Sequence, residues 1–187
     1  MEYFDGIMLI DDVIKPEFAK ELINHINTSD DTHKETHGKS TNVVCDFIQI
    51  SENDSSKFKK IDDQLFKIVG NILQNIWDNY EIKSTGDSGY CLRKIYGETR
   101  RHMDGVIGYD SHKDVIDVTQ VRNMAVIIAL NDDYEDGEFY FPYQDKKIKL
   151  KKYQAIAFPP YWTHPHEVSA PTNGTFRYTI NTWLYGK

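Results

Sequence analysis

The sequence predicts a mainly β protein with its helices gathered in the N-terminal third, and two contrasts of pattern decide this. Between residues 58 and 80 apolar side chains recur at helical spacing, whereas from Gly89 onward the chain breaks into short runs rich in β-branched and aromatic residues. The 187 residues, 40% hydrophobic and 13% aromatic, suffice for one real core and exclude a disordered chain.

Taken in order, residues 7–10 are a short apolar run, and Pro16 opens a helix on which Phe18, Leu22 and Ile26 recur every four residues. A strand is expected at 42–50. The strongest helix signal comes next, a stripe of Phe58, Ile61, Leu65, Ile68, Val69, Ile72, Ile76 and Tyr80, with Ser55 or Ser56 as its cap. Strands are then expected at 123–130, 138–142, 147–150, 154–158 and 176–184. In the last of these Phe176, Tyr178, Ile180, Thr182 and Leu184 share one face, and Arg177, Thr179, Asn181 and Trp183 the other. One face would pack on helices while the other looks into a barrel. The whole reads as a double-stranded β-helix, or jelly roll, buttressed by helices: one domain over 1–187, with 1–86 as helical buttress and sheet edge and 87–187 as the β-helix core. No repeat or low-complexity tract interrupts it.

Composition also bears on partners. A formal net charge of −7 opposes generic binding to nucleic acid phosphates. No apolar run of about 18 residues is present to span a membrane. The acidic start, residues 1–6, is too brief in its apolar part for a secretory signal. Two cysteines, Cys45 and Cys91, argue against a disulfide framework and fit a reducing cytoplasm.

The chemistry-bearing pattern is His102-Met103-Asp104, then a histidine in Thr163-His164-Pro165-His166, then Arg177. On extended backbone His102 and Asp104 point the same way and Met103 points from them, so one short element offers two ligands. Two imidazoles and a carboxylate hold one face of an octahedral ferrous ion and leave the other face open, although zinc accepts the same donors. A lone His-x-Asp among seven histidines is a weak signal, and the downstream residues strengthen it. Arg177 stands on the polar face of an otherwise apolar strand. A guanidinium there needs an anionic partner, and Arg grips a carboxylate with two parallel hydrogen bonds. His164 and His166 share a face on extended chain, so residue pattern alone leaves the third ligand open between them. His25, His33, His37 and His112 have no second ligand at a sensible spacing and read as surface or helix histidines, and Arg100 and Arg101 as a solvated face.

With these residues in view, the chain resembles the 2-oxoglutarate and iron(II)-dependent dioxygenases, in their prolyl 4-hydroxylase-like branch. Ile95-Tyr96-Gly97-Glu98 before His102-Met103-Asp104 resembles the branch's first metal block. The stretch from Leu130-Asn131 through Asp136-Gly137-Glu138-Phe139-Tyr140-Phe141 resembles its hairpin, and His166-Glu167-Val168 with Gly174-Thr175-Phe176-Arg177-Tyr178 its last block, Trp183 standing beyond. The resemblance implies that His102, Asp104 and His166 bind iron(II), and that Arg177 pairs with the far carboxylate of 2-oxoglutarate. It further implies that Tyr96 donates to that carboxylate and that Asn181 and Trp183 line the pocket. The same resemblance implies O2 as the second cosubstrate and allows for ascorbate as an accessory reductant. Two departures stand out: Asp136 replaces a glycine, and Ala129 stands where several relatives have tyrosine, leaving the cosubstrate one hydrogen bond poorer. Arg177 in place of lysine places the chain nearer the oxygen-sensing and bacterial-type hydroxylases than the collagen type.

The activity expected is hydroxylation of a side chain, prolyl in a peptide or protein, with succinate and CO2 as coproducts. The alternatives are a hydroxylase of free amino acids or small metabolites, a non-catalytic metal- or carbohydrate-binding barrel, and, more weakly, a zinc hydrolase. Arg177 argues against the pure binding barrel, which has no need of a charged anchor beside the metal. Residues 105–121, directly after a ligand, are expected to form a substrate lid, and Trp162 to pack in a rigid loop at the site mouth.

Overall fold

The computed structural model describes residues 2–36, 42–50, 57–105, 108–110, 115–117 and 121–186. Strands β1 (Glu2–Phe4) and β2 (Ile7–Ile10) turn at Asp5 and Gly6, both at positive φ, and lead into α1 (Pro16–Thr28). β3 (His33–Thr36), β4 (Val43–Ile50) and α2 (Lys59–Tyr80) follow. The remainder is β: β5 (Gly86–Asp87), β6 (Tyr90–Ile95), β7 (Thr99–His102), β8 (Gly108–Asp110), β9 (Val115–Asp117), β10 (Arg122–Ala129), β11 (Glu135–Asp136), β12 (Phe139–Phe141), β13 (Lys146–Ile148), β14 (Ala155–Phe158), β15 (His166–Val168), β16 (Pro171–Thr172) and β17 (Arg177–Tyr185).

Two sheets carry the architecture. The larger runs β1-β2-β14-β10-β17-β6-β4-β3, with β5 also on β17; the smaller runs β13-β12-β15-β7. Between them lie Ile7, Leu9, Ala125, Ile127, Ile156 and Phe158 from the large sheet and Phe139, Phe141, Ile148 and Val168 from the small one. The opposite face of the large sheet is covered by the helices. Phe18, Leu22 and Ile26 of α1 and Ile61, Leu65, Val69, Ile72 and Ile76 of α2 pack there on Ile48, Leu92, Val126, Ile180 and Leu184. This is the helix-buttressed jelly roll that the two periodicities predict. The alternation along β17 decides what each side receives: even residues reach the helices, odd ones the barrel interior.

Three differences from the sequence reading have physical reasons. Phe176 falls before β17 and stays 38% exposed, with the Lys94 ammonium 4.4 Å from its ring centre, so it leaves the apolar face assigned to it. The short strands β3, β5, β7, β11, β15 and β16 have too few residues, or too polar a run, to show a period. The expected cap at Ser55 or Ser56 lies outside the described residues; α2 starts at Lys59, and Phe58 at its N-cap makes no side-chain cap bond. No described helix is long and apolar enough to cross a membrane.

Candidate metal centre

β7 and β15 are neighbours in the small sheet, and their antiparallel register sets His102 directly opposite His166. The ring centres lie 4.4 Å apart. Asp104 follows the end of β7, and Met103 between the ligands is turned out to solvent, 53% exposed, as alternation requires. Asp104 Oδ1 is 3.3 Å from His102 Nε2 and Oδ2 is 3.8 Å from His166 Nε2. One donor atom from each of the three residues falls within 4.8 Å of the others.

The hydrogen bonds behind the triad test whether it fits a metal. His102 Nδ1 donates to the Arg100 carbonyl at 2.9 Å and His166 Nδ1 to the His164 carbonyl at 3.2 Å. A carbonyl only accepts, so each Nδ1 carries its proton and Nε2 is the nitrogen of each ring that faces Asp104 and would coordinate a metal. Burial pushes the His166 imidazole down to about 4, Asp104 opposing and His102 adding to the fall, so it is neutral at ordinary pH. Burial also raises the Asp104 carboxyl, but the His102 hydrogen bond and the charges of His166 and His102 outweigh it and hold the group below the usual carboxylate range. Burial lowers the His102 imidazole, but the hydrogen bond and charge of Asp104 outweigh it and raise the group, so a cation entering the site would displace the proton between them. Two imidazole nitrogens and one carboxylate, converging on one point, fit a divalent ion, and this donor set suits iron(II).

His164 is not in this cluster. Its Nδ1 meets Thr163 Oγ1 at 2.9 Å and its Nε2 the Asp5 carbonyl at 2.8 Å, tying the β1–β2 turn to the segment that carries His166. Of the other histidines, His25 packs edge-on to Phe58 and His33 lies exposed on β3, while His37 and His112 lie outside the described residues.

Arg177, first residue of β17, points into the barrel and is buried. Nη1 donates to the Gly137 carbonyl at 3.2 Å, the guanidinium lies 5.1 Å from the Phe139 ring centre, and Nε has no partner among the described residues. Burial lowers its pKa to about 10; Tyr134 supports its charge and Arg93 opposes it. No carboxylate among the described residues pairs with it. An unpaired buried cation is costly, and an anionic ligand group is the partner this site fits. Asn181 and Trp183 share its face of β17, with Thr179 donating to Asn181 Oδ1 at 2.7 Å and Trp183 packed against the inter-sheet core.

Tyr96 lies elsewhere. Its hydroxyl donates to Asp46 Oδ1 at 3.2 Å. Asp46 is paired with Lys94, and Lys94 with Tyr178, on the face that meets the helices. The hydroxyl therefore meets Asp46 on the buttressed face, whereas the resemblance sets it beside the cosubstrate carboxylate. The aromatic hydroxyl felt by Arg177 belongs to Tyr134, which is 2% exposed and only weakly bonded to the Leu150 carbonyl, at 3.4 Å. Sequence reasoning missed it because a tyrosine in a hairpin block carries no mark of which way it points. The Asp136 departure is accommodated: Asp136 and Gly137 both take positive φ, which Asp tolerates, and a Cβ on Gly137 would lie 2.9 Å from the Tyr134 ring. Arg93, also interior, pairs with Glu35 and reaches Cys45 Sγ at 3.2 Å, while its buried Nε has no partner among the described residues.

The loop at 159–165 borders the triad, since Gly105 donates to the Pro160 carbonyl at 2.6 Å. Trp162 in it is 74% exposed, so it is presented rather than packed. Arg100 and Arg101 are exposed and lie near Glu98 and Glu167 at 3.5 and 3.4 Å, a solvated face as expected. Most of the expected 105–121 lid lies outside the described residues; what is described includes the β8–β9 pair, Gly108 opposite Asp117.

Comparison with known proteins agrees with this geometry. Residues 98–185, which hold the triad and Arg177, match the 2OG-Fe(II) oxygenase superfamily. Curated protein sequences give no match. Among solved structures the chain is similar to a Trichoplax adhaerens prolyl hydroxylase in complex with a hypoxia inducible factor peptide fragment, at 16% identity and a TM-score of 0.71 over 97% of this chain and 84% of that one. A viral collagen prolyl hydroxylase from Paramecium Bursaria Chlorella virus-1 gives 17% and 0.69 over 98% and 97%, and a Pseudomonas putida prolyl-4-hydroxylase 12% and 0.68 over 97% and 93%. The resemblance to the 2-oxoglutarate and iron(II)-dependent dioxygenases thus holds in the sequence of the β-rich half, and the likeness to the prolyl hydroxylases in the fold of nearly the whole chain.

Proposed function

We propose that the protein is a 2-oxoglutarate- and iron(II)-dependent dioxygenase that hydroxylates a side chain of a peptide or protein, with proline as the target residue. The observation that supports this reading above all is the pairing of an open His-Asp-His cluster with a buried, carboxylate-free Arg177 in one barrel. A binding barrel needs only the first, and a zinc hydrolase has no need of a charged anchor for a second carboxylate. The prolyl hydroxylase fold supports a peptide substrate by analogy.

His102, Asp104 and His166 would hold the metal by one face. Bound there, iron(II) with 2-oxoglutarate and O2 would supply the oxidation: one oxygen atom of O2 goes to the cosubstrate, which loses CO2 to become succinate, and the other into a substrate C–H bond. The chain contributes orientation and exclusion of water. Arg177 would set the register of the cosubstrate by gripping its far carboxylate, with Tyr134 supporting the guanidinium charge. Thr179 and Asn181 line the wall between that anchor and the triad. Phe139, Phe141 and Phe158 ring His166 at 6.2, 5.4 and 4.8 Å between centres and keep that side dry.

The test is succinate formation by purified protein with iron(II), 2-oxoglutarate, ascorbate and a panel of proline-containing peptides, read with the one-oxygen mass gain on the peptide. His102→Ala, Asp104→Ala and His166→Ala should each abolish turnover, while His164→Ala keeps metal binding and loses stability. Succinate without any peptide mass gain, restored by a free amino acid, would move the substrate to the small-molecule class. The free thiols of Cys45 and Cys91 support a reducing, cytoplasmic setting.

A further inference from the structure

Asp104 differs from the two histidines in what holds it. β7 ends at His102 and β15 carries His166, so both imidazoles stand on hydrogen-bonded strand, whereas Asp104 lies past the last ladder position. Its main chain is fixed from another quarter. Arg122, first residue of β10, donates from Nη1 to the Asp104 carbonyl at 2.8 Å. The same guanidinium lies 4.0 Å from the centre of the Trp183 indole, the distance of a stacked cation–π pair. Trp183 in turn stands on the barrel-facing side of β17, packed against the inter-sheet core. On the far side Gly105 is pinned by its bond to Pro160, and the Tyr161 ring fills the space a Cβ would take, 2.4 Å away.

The charge of Arg122 works against the use we assign to this site. A guanidinium beside a divalent-cation site repels the ion, so electrostatics alone would favour its loss. What the residue supplies is geometry: a planar fork held flat on Trp183 whose one directed bond fixes the carbonyl of a ligand residue that no strand holds. We propose that Arg122 is a positioning residue, which by holding the Asp104 carbonyl keeps the Asp104 carboxylate against His102 and His166 and strengthens divalent-metal binding. The inference rests on the metal-centre reading of that triad.

Metal titration separates the two. Metal-free protein titrated with cobalt(II), followed by its visible absorption, should bind one equivalent, lost in His166→Ala; if the wild-type protein does not, the metal-centre reading fails. Given that binding, Arg122→Met, which keeps an apolar stem on Trp183 but removes charge and donor, should weaken cobalt binding about tenfold or more and shift its absorption bands. Arg122→Lys should recover part of the affinity. Arg101→Met, which removes a like charge beside His102 on the outer face, should bind at least as tightly as wild type. Loss of charge alone predicts tighter binding in both methionine variants, so the sign of the Arg122→Met effect decides. Cobalt affinity at or above wild type in whichever Arg122 variant folds overturns the proposal.

Discussion

Arg177 is a cation almost without solvent, and its two kinds of neighbour explain why it stays: a carbonyl and an aromatic face in place of a counter-ion. Removing one partner of a buried charge pair costs on the order of 2–5 kcal/mol, so Arg177→Ala should weaken 2-oxoglutarate binding by roughly 30-fold or more. Arg177→Lys should fall between, because a single ammonium cannot reproduce the fork. Isothermal titration on the metal-loaded protein measures both; undiminished affinity in the two variants would place the anchor elsewhere. The cysteines make a second case at this scale. Burial pushes Cys45 and Cys91 up to about 12 from 9.0. Thiols ionised only in the unfolded chain favour unfolding, so stability present below pH 9 should fall progressively from there toward pH 12. At pH 8 neither thiol should react with iodoacetamide until the protein unfolds; fast labelling of native protein would contradict that burial.

At the scale of elements, what the sequence disclosed depended on period and spacing. The stripe on α2, the alternation on β17 and the two-residue step from His102 to Asp104 are local signals, and each appears in the structure where the pattern puts it. Pairings were not legible. That β7 lies beside β15, bringing His166 opposite His102, joins residues some sixty positions apart through two polar strands, Thr99–His102 and His166–Val168, with no alternation to mark them. Tyr96 shows the same limit: it lies just beyond β6, and only the pairing of Asp46 with Lys94 reveals that its hydroxyl meets the helix face. Local environment likewise sets opposite outcomes for one substitution. Gly70, inside α2 with nothing within 4 Å of an added Cβ, should gain about 0.5–1 kcal/mol as Gly70→Ala. Gly105→Ala would drive a methyl into Tyr161 and should cost about 1–3 kcal/mol. It should also lower metal affinity, since the displaced backbone is that of Asp104. Denaturant midpoints for the pair check both signs, and equal effects would mean that the loop at 159–165 yields freely.

For the whole molecule, the large sheet is shared property: its one face is the helix core and its other face the barrel core, so neither core survives loss of the sheet. We therefore expect residues 1–187 to unfold as one domain in a single transition. His102 and His166 lie on the small sheet, with Asp104 just past the end of β7, and Arg177 lies on the large one, so a metal bound by the triad with its cosubstrate would bridge the two halves of the barrel. A ligand that binds only the folded state adds about 2.7 kcal/mol at a hundredfold excess over its Kd. For a chain of this size each kcal/mol moves Tm by about 2–4 °C, which makes roughly 5–11 °C per ligand. Manganese(II), used to avoid oxidation, should raise Tm by such an amount, and 2-oxoglutarate should raise it further only when the metal is present. In Asp104→Ala both increments should vanish; in Arg177→Ala the metal increment should remain and the cosubstrate increment shrink. Calorimetry showing two transitions, of which only one responds to manganese, would divide the chain into separate folding units and remove the bridge.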